Sequence, residues 1–108
     1  MNTSDLPAFQ LQVADFVAEH QLSTDVSTRL LDLLSEIGEL SKEALKGSDY
    51  GKRAFVQTEN WPEELADVFF ALICLANATG VDMQSSLEMA LNKYGKRLKD
   101  RGDAGSGQ

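Results

Sequence analysis

The sequence predicts an all-α fold, a bundle of four to five helices completed by oligomerisation. Three observations carry this. Apolar residues recur at three- and four-residue spacing in four segments, and none alternates over the length of a strand. Three of the segments open on Asp, Ser or Thr, and two stop at glycine. One segment is apolar on nearly every side, as a helix enclosed by neighbours must be.

The first helix is expected over residues 6–20, with Asp5 as its cap and Pro7 in the first turn. Phe9, Val13, Phe16 and Val17 form its apolar stripe. The second is expected over 26–46, with Ser23, Thr24 or Asp25 as cap and Gly47 as stop. Leu30, Leu33, Leu34, Ile37, Leu40, Ala44 and Leu45 make its expected buried arc, facing the third helix. Residues 47–61, "GSDYGKRAFVQTENW", are one long irregular connection, a type often functional. The third helix is expected over 62–79, from Pro62 to a left-handed cap at Gly80. The fourth, 83–99, is capped by Asp82 and striped by Met83, Leu87, Ala90, Leu91, Tyr94 and Leu98. Residues 1–99 are read as one domain and 100–108 as a flexible tail.

Composition narrows the partners. With 17 acids against 10 Lys plus Arg, the net charge is −7, which disfavours a nucleic-acid backbone. No apolar run reaches the roughly 18–20 residues that span a bilayer, and the first residues carry no signal-peptide pattern. A single cysteine, Cys74, fits a reducing cytoplasm and is read as a core residue. The one histidine, His20, at a helix end, has no ExxH partner, which weakens a di-iron reading.

Chemistry is concentrated in two pairs of acids. Glu36 and Glu39 stand three apart on the second helix; Glu64 and Asp67 stand three apart on the third. Each pair projects from one helical edge. If the two helices pack antiparallel, four carboxylates face one another, and one or two hard divalent cations relieve their repulsion. Oxygen ligands without histidine or thiolate suit Mg²⁺ or Mn²⁺. Glu43 extends the row as an outer or supporting acid, and Asp32 is read as solvated. On the fourth helix Lys93, Lys96 and Arg97 share a face beside Asn92. Alone they read as a solvated basic end; beside a cation site they could clamp phosphate oxygens.

The set "EIGEL" (36–40), "WPEELADVFFALICLANATGVD" (61–82) and "ALNKYGKR" (90–97) resembles the MazG-like family of all-α nucleoside triphosphate pyrophosphohydrolases, over roughly residues 8–99. The resemblance implies Mg²⁺ held by Glu36, Glu39, Glu64 and Asp67, with Mn²⁺ as a substitute. It implies hydrolysis of a nucleoside triphosphate to monophosphate and pyrophosphate, in cleansing the nucleotide pool. Lys93 and Arg97 would contact phosphates, assisted by Asn92 or Tyr94. Trp61, Phe9 or Phe16 could line a base pocket, although core packing is the expected use of each, and one of Glu36, Glu39 or Glu63 could be general base. Single-domain members form dimers or dimers of dimers, so a homodimer or homotetramer is expected. Relatives often read EExxE where this chain has Ser35. Two other readings stand beside this one: a phosphoribosyl-ATP pyrophosphohydrolase, and a non-catalytic helical dimerisation or regulatory module.

Overall fold

Aspartate caps set the starts of three helices in the computed structural model, which describes residues 5–101. Helix α1 spans Leu6–Glu19, α2 Val26–Gly47, α3 Trp61–Ala78 and α4 Met83–Arg101; the described residues contain no strand. Asp5 Oδ1 accepts the Ala8 N–H at 3.1 Å. Asp25 Oδ2 accepts the Thr28 N–H and hydroxyl, both at 2.9 Å. Asp82 Oδ2 accepts the Ser85 N–H at 3.2 Å and its hydroxyl at 2.6 Å. Each cap satisfies an N–H that has no partner within its helix. Gly80 takes a φ of 69°, the left-handed stop expected after α3. Helix α4 runs on through Asp100 and Arg101, so these two expected tail residues are helical; the rest of the tail lies outside the described residues.

Gly47 was expected to stop α2 and is instead its last residue, buried under the following loop. A Cβ there would stand 2.5 Å from Phe55 Cε1 and 2.8 Å from the Val56 carbonyl oxygen. The Gly47 carbonyl accepts the Val56 N–H at 2.9 Å and Arg53 Nη1 at 2.6 Å, which fold the loop back onto the helix end. Arg53 is thereby committed to capping α2.

Helices α2 and α3 form the main packed pair; α1 lies across α3, and α4 turns away from α3 by 103° to rest on α1. Phe9 meets Phe69, and Phe16 meets Phe70, edge to face, with ring centroids 6.1 and 5.9 Å apart. The buried apolar residues are few and mostly small: Ala8, Ala71, Ile73, Cys74 and Ala76. The radius of gyration is 16.7 Å, against about 13 Å for a compact chain of this length.

The facing of α2 is turned by about a quarter turn from the one expected. Leu30, Leu34, Ile37 and Leu45 are 53%, 64%, 43% and 47% exposed, while Leu33, Leu40 and Ala44 are half-buried. The buried positions of α2 are Arg29, Glu43 and Gly47. At about 100° per residue, Arg29, Asp32, Glu36, Glu39 and Glu43 fall within about 80° of one another, so the charged row is the face that meets α3. The buried Cys74 of α3 lies close enough to feel the Arg29 and Asp32 charges, and a side chain this small allows helices to approach closely. The leucine arc therefore stays open in one chain. Helix α3 is likewise less enclosed than expected, with Leu65, Phe69 and Leu72 about 40% exposed. Helix α4 has no buried residue.

Candidate active site

Antiparallel packing of α2 on α3 brings Glu36 opposite Glu64 and Asp67. Each of the three is half-buried, and each offers a carboxylate oxygen within 4.8 Å of the other two. Burial pushes the Glu36 carboxyl above its ordinary value, and the charges of Asp67, Asp32, Glu64 and Glu39 push the same way. Glu64 is raised by burial and then by Asp67, Glu39, Glu43 and Glu63. Every charge felt by these two groups is negative. Among the described residues no lysine or arginine forms an ion pair with Glu36, Glu64 or Asp67; the cations of this face, Arg29 and Lys46, lie beside Asp32 and Glu43.

This donor set fits a hard cation. Six oxygens held 2.0–2.1 Å from Mg²⁺ lie about 3 to 4.2 Å apart.

The structure distributes the other expected residues unevenly. Glu39 is exposed at the rim, outside the trio, and acts on Glu36 and Glu64 through its charge. Trp61 opens α3 one turn before Glu64, half-buried, its ring 5.0 Å from that of Phe55. Lys93 and Arg97 flank the Tyr94 ring, 4.8 and 5.9 Å from its centroid, on the helix that bends away. Neither cation is among the charges acting on Glu36 or Glu64. Asn92, Glu63 and Ser35 are exposed. Phe9 and Phe16 are spent on aromatic contacts with α3, and Phe16 also stacks on His20 at 4.4 Å.

Two acids have different surroundings from those expected. Asp32, read as solvated, binds a buried arginine: Arg29 Nη2 lies 3.0 Å from Asp32 Oδ2, with the guanidinium side chain only 8% exposed. Glu43 is buried, accepts the Thr58 hydroxyl and lies 3.9 Å from Lys46 Nζ, so it ties the loop to α2. Sequence reading passed over Arg29 and Thr58. Arg29 could have been found, since it precedes Glu36 by seven residues and continues the same helical row. Thr58 carries no periodic signal. Cys74 is buried as expected, and burial pushes its thiol up despite the nearby Arg29 charge.

Residues 24–102 match the family model described as the MazG nucleotide pyrophosphohydrolase domain. The chain is 35% identical over 72 residues to YpjD, an uncharacterized protein of Bacillus subtilis (strain 168). That match covers 64% of this chain and 63% of YpjD. The fold is similar to a crystal structure described as the Bacillus-conserved MazG protein, a nucleotide pyrophosphohydrolase. The TM-score is 0.74 at 27% identity, covering 94% of this chain and all of the other.

Proposed function

Because the chain belongs to the family of MazG nucleotide pyrophosphohydrolase domains, we propose that it hydrolyses (deoxy)nucleoside triphosphates to monophosphate and pyrophosphate, with Mg²⁺, in cleansing the cytoplasmic nucleotide pool. The observation that carries this reading is the convergence of Glu36, Glu64 and Asp67 with no ion pair to a lysine or arginine among the described residues. A structural acid cluster would be expected to recruit a lysine or arginine. This one is open to a divalent ion.

Glu36, Glu64 and Asp67 would hold Mg²⁺, with Glu39 at the rim as a further oxygen ligand. When bound, Mg²⁺ supplies positive charge to phosphate oxygens and lowers the pKa of water. An exposed carboxylate at the edge, Glu39 or Glu63, takes the proton of the attacking water. Water oxygen bonds to the α-phosphorus, the bond to the β-phosphate bridging oxygen breaks, and pyrophosphate leaves with that oxygen. Lys93 and Arg97 stabilise charge on the phosphates, with Asn92 beside them. Trp61 offers an aromatic face one turn from Glu64.

A homodimer or homotetramer reconciles these roles with the open surfaces. Leu30, Leu34 and Ile37 on α2, and Leu87, Leu91 and Leu98 on α4, are all exposed by 43% or more. Exposed apolar area on this scale marks an interaction surface. A second copy laid on it would cover the leucines and could bring its own α4 cations to these carboxylates.

The test measures pyrophosphate released from the eight common NTPs and dNTPs, with and without Mg²⁺, with phosphoribosyl-ATP as a ninth substrate. Mg²⁺-dependent release from at least one triphosphate is expected. No turnover by folded, metal-loaded protein would sink the reading, and preference for phosphoribosyl-ATP would redirect it.

A further inference from the structure

Helix α4 has a direction but little packing to explain it. It leaves α3 at 103°, rests only on α1 in its principal contacts, and buries no side chain. A helix without a buried face is not oriented by hydrophobic contact. Its angle is set at its root.

At that root lies Gln10, 9% exposed and one of three buried polar residues among those described. Its amide is fully used. Nε2 donates to Asn77 Oδ1 at 3.0 Å and to the Val81 carbonyl at 2.8 Å. Oε1 accepts the Met83 N–H at 2.8 Å, and Asn77 Nδ2 returns a bond to the Gln10 carbonyl at 3.0 Å. One side chain of α1 thus holds the last turn of α3, the connecting turn and the first residue of α4. Partner groups left buried without their bonds are costly, so the arrangement resists bending.

We propose that Gln10 is a positioning residue for the phosphate-binding cations: it fixes the α3–α4 bend and thereby the place of Lys93 and Arg97. This rests on the reading that those two residues meet substrate phosphates. Arg97 lies 14 residues beyond Met83, about 21 Å along the helix, so a swing of about 10° at the root moves it about 3.7 Å. That exceeds the tolerance of a hydrogen bond, and misplacement by about 1 Å can cost roughly a hundredfold. Asn77 serves as an internal control. Its loss cuts the α1–α3 tie and leaves Gln10 bound to Val81 and Met83.

The experiment compares Gln10→Leu and Asn77→Ala with the unaltered chain, in a Cys74→Ser background carrying spin labels at Asp15 and Lys99. Labelled chains are diluted into excess unlabelled protein, so the electron–electron distance reports one chain. Gln10→Leu should broaden or shift that distance by several ångströms and raise the nucleotide KM about tenfold or more, while Mn²⁺ affinity changes little. Asn77→Ala should lower Tm yet keep both the distance and KM. An unchanged distance in Gln10→Leu, or an equal shift in Asn77→Ala, overturns the pin. A shifted distance with unchanged KM overturns its role in positioning. Absence of any turnover in the unaltered chain refutes the proposed activity and leaves the distance measurement standing as the test of the pin. Should Gln10→Leu fail to fold, Met83→Pro removes the N–H accepted by Oε1 at a helix start that tolerates proline, and Met83→Ala controls for the lost half-buried side chain.

Discussion

Glu36 of α2 and Asp67 of α3 bring carboxylate oxygens within 4.8 Å of each other across an antiparallel helix seam. Without a cation that approach is repulsive, and the surrounding Asp32, Glu39 and Glu64 charges add to it. Divalent ions should therefore stabilise the fold directly. At a Mg²⁺ concentration about one hundred times Kd, the gain is about 2.7 kcal/mol. Differential scanning fluorimetry, with NaCl matched for ionic strength, should show Tm rising with Mg²⁺ or Mn²⁺ and falling back with EDTA. Glu36→Gln and Asp67→Asn should each remove the metal gain while raising the metal-free Tm. A metal response retained in both variants would place the ion elsewhere.

The pair formed by Arg29 and Asp32 is unequal. The Arg29 side chain is 8% exposed and that of Asp32 42% exposed, and Arg29 Nε has no hydrogen-bond partner among the described residues. Removing the acid strands a buried guanidinium; removing the base returns a half-exposed carboxylate to water. Asp32→Ala should cost about 3 kcal/mol, the low end for breaking a buried pair because one member reaches solvent. Arg29→Met should cost less, and urea denaturation of both variants decides the order. Equal losses would mean that the pair behaves as an ordinary surface bridge.

These two seams explain what the sequence made legible. Helix number, caps and the Gly80 stop follow from local chemistry, and Asp5, Asp25 and Asp82 do what their positions suggest. The acid spacing revealed the trio because i, i+3 geometry is fixed within a helix and only the antiparallel packing had to be supplied. The direction of α2 was not legible. Its leucines outnumber its acids, and the rule that apolar faces turn inward sent them toward α3. In one chain the helix is turned so that Arg29 and Glu43 are buried while Leu34 is 64% exposed. Periodicity says which residues share a face, and what covers that face depends on other elements or other copies. The Glu43–Thr58 bond joins residues 15 apart, so no local pattern announces it.

Gly47 is constrained by its surroundings. An added Cβ would stand 2.5 Å from the Phe55 ring and 2.8 Å from the Val56 backbone oxygen, and the backbone cannot yield as a side chain can. Alanine gains up to about 1 kcal/mol in a helix interior over glycine, but overpacking costs about 1–3 kcal/mol, so the clash wins. Gly47→Ala should lower Tm by several degrees. Phe55 lies against Trp61, the only tryptophan, so its displacement should also shift the emission maximum. An unchanged spectrum with unchanged Tm would show that the loop rearranges freely.

Acid should weaken the capped helix starts. The Thr28 N–H and then its hydroxyl hold the Asp25 carboxyl below its ordinary 3.8, and the Ser85 hydroxyl and N–H do the same for Asp82. A lowered folded-state pKa means that the folded chain binds fewer protons than the unfolded one across this window. The stabilisation is then complete above about 3.8 and is lost as pH falls through the folded values. The stability difference between the unaltered chain and Asp82→Ala should accordingly shrink below pH 3.8. A difference that stays constant into strong acid would show that the cap does not depend on the carboxylate charge.

The separation of cations from carboxylates gives the most discriminating prediction. Lys93 and Arg97 sit on the helix that bends away, and the charges acting on Glu36 and Glu64 are all acidic. If each site takes its acids from one chain and its phosphate cations from another, two inactive variants can repair one another. On the proposed roles, Glu64→Gln would lack a metal ligand and keep its cations, and Lys93→Ala with Arg97→Ala would lack cations and keep its metal ligands. Each alone should lose at least about a hundredfold in kcat/KM. Mixed, unfolded and refolded together as dimers, half the assemblies pair unlike chains, and each of these holds one intact site. The expected recovery is about a quarter of the unaltered activity. Recovery should require subunit exchange, and it should be absent when the two variants are mixed below the dissociation concentration of the dimer. If refolded mixtures stay as inactive as the separate variants, the cations and the acids of a site belong to the same chain, and α4 must swing toward α2 when nucleotide binds.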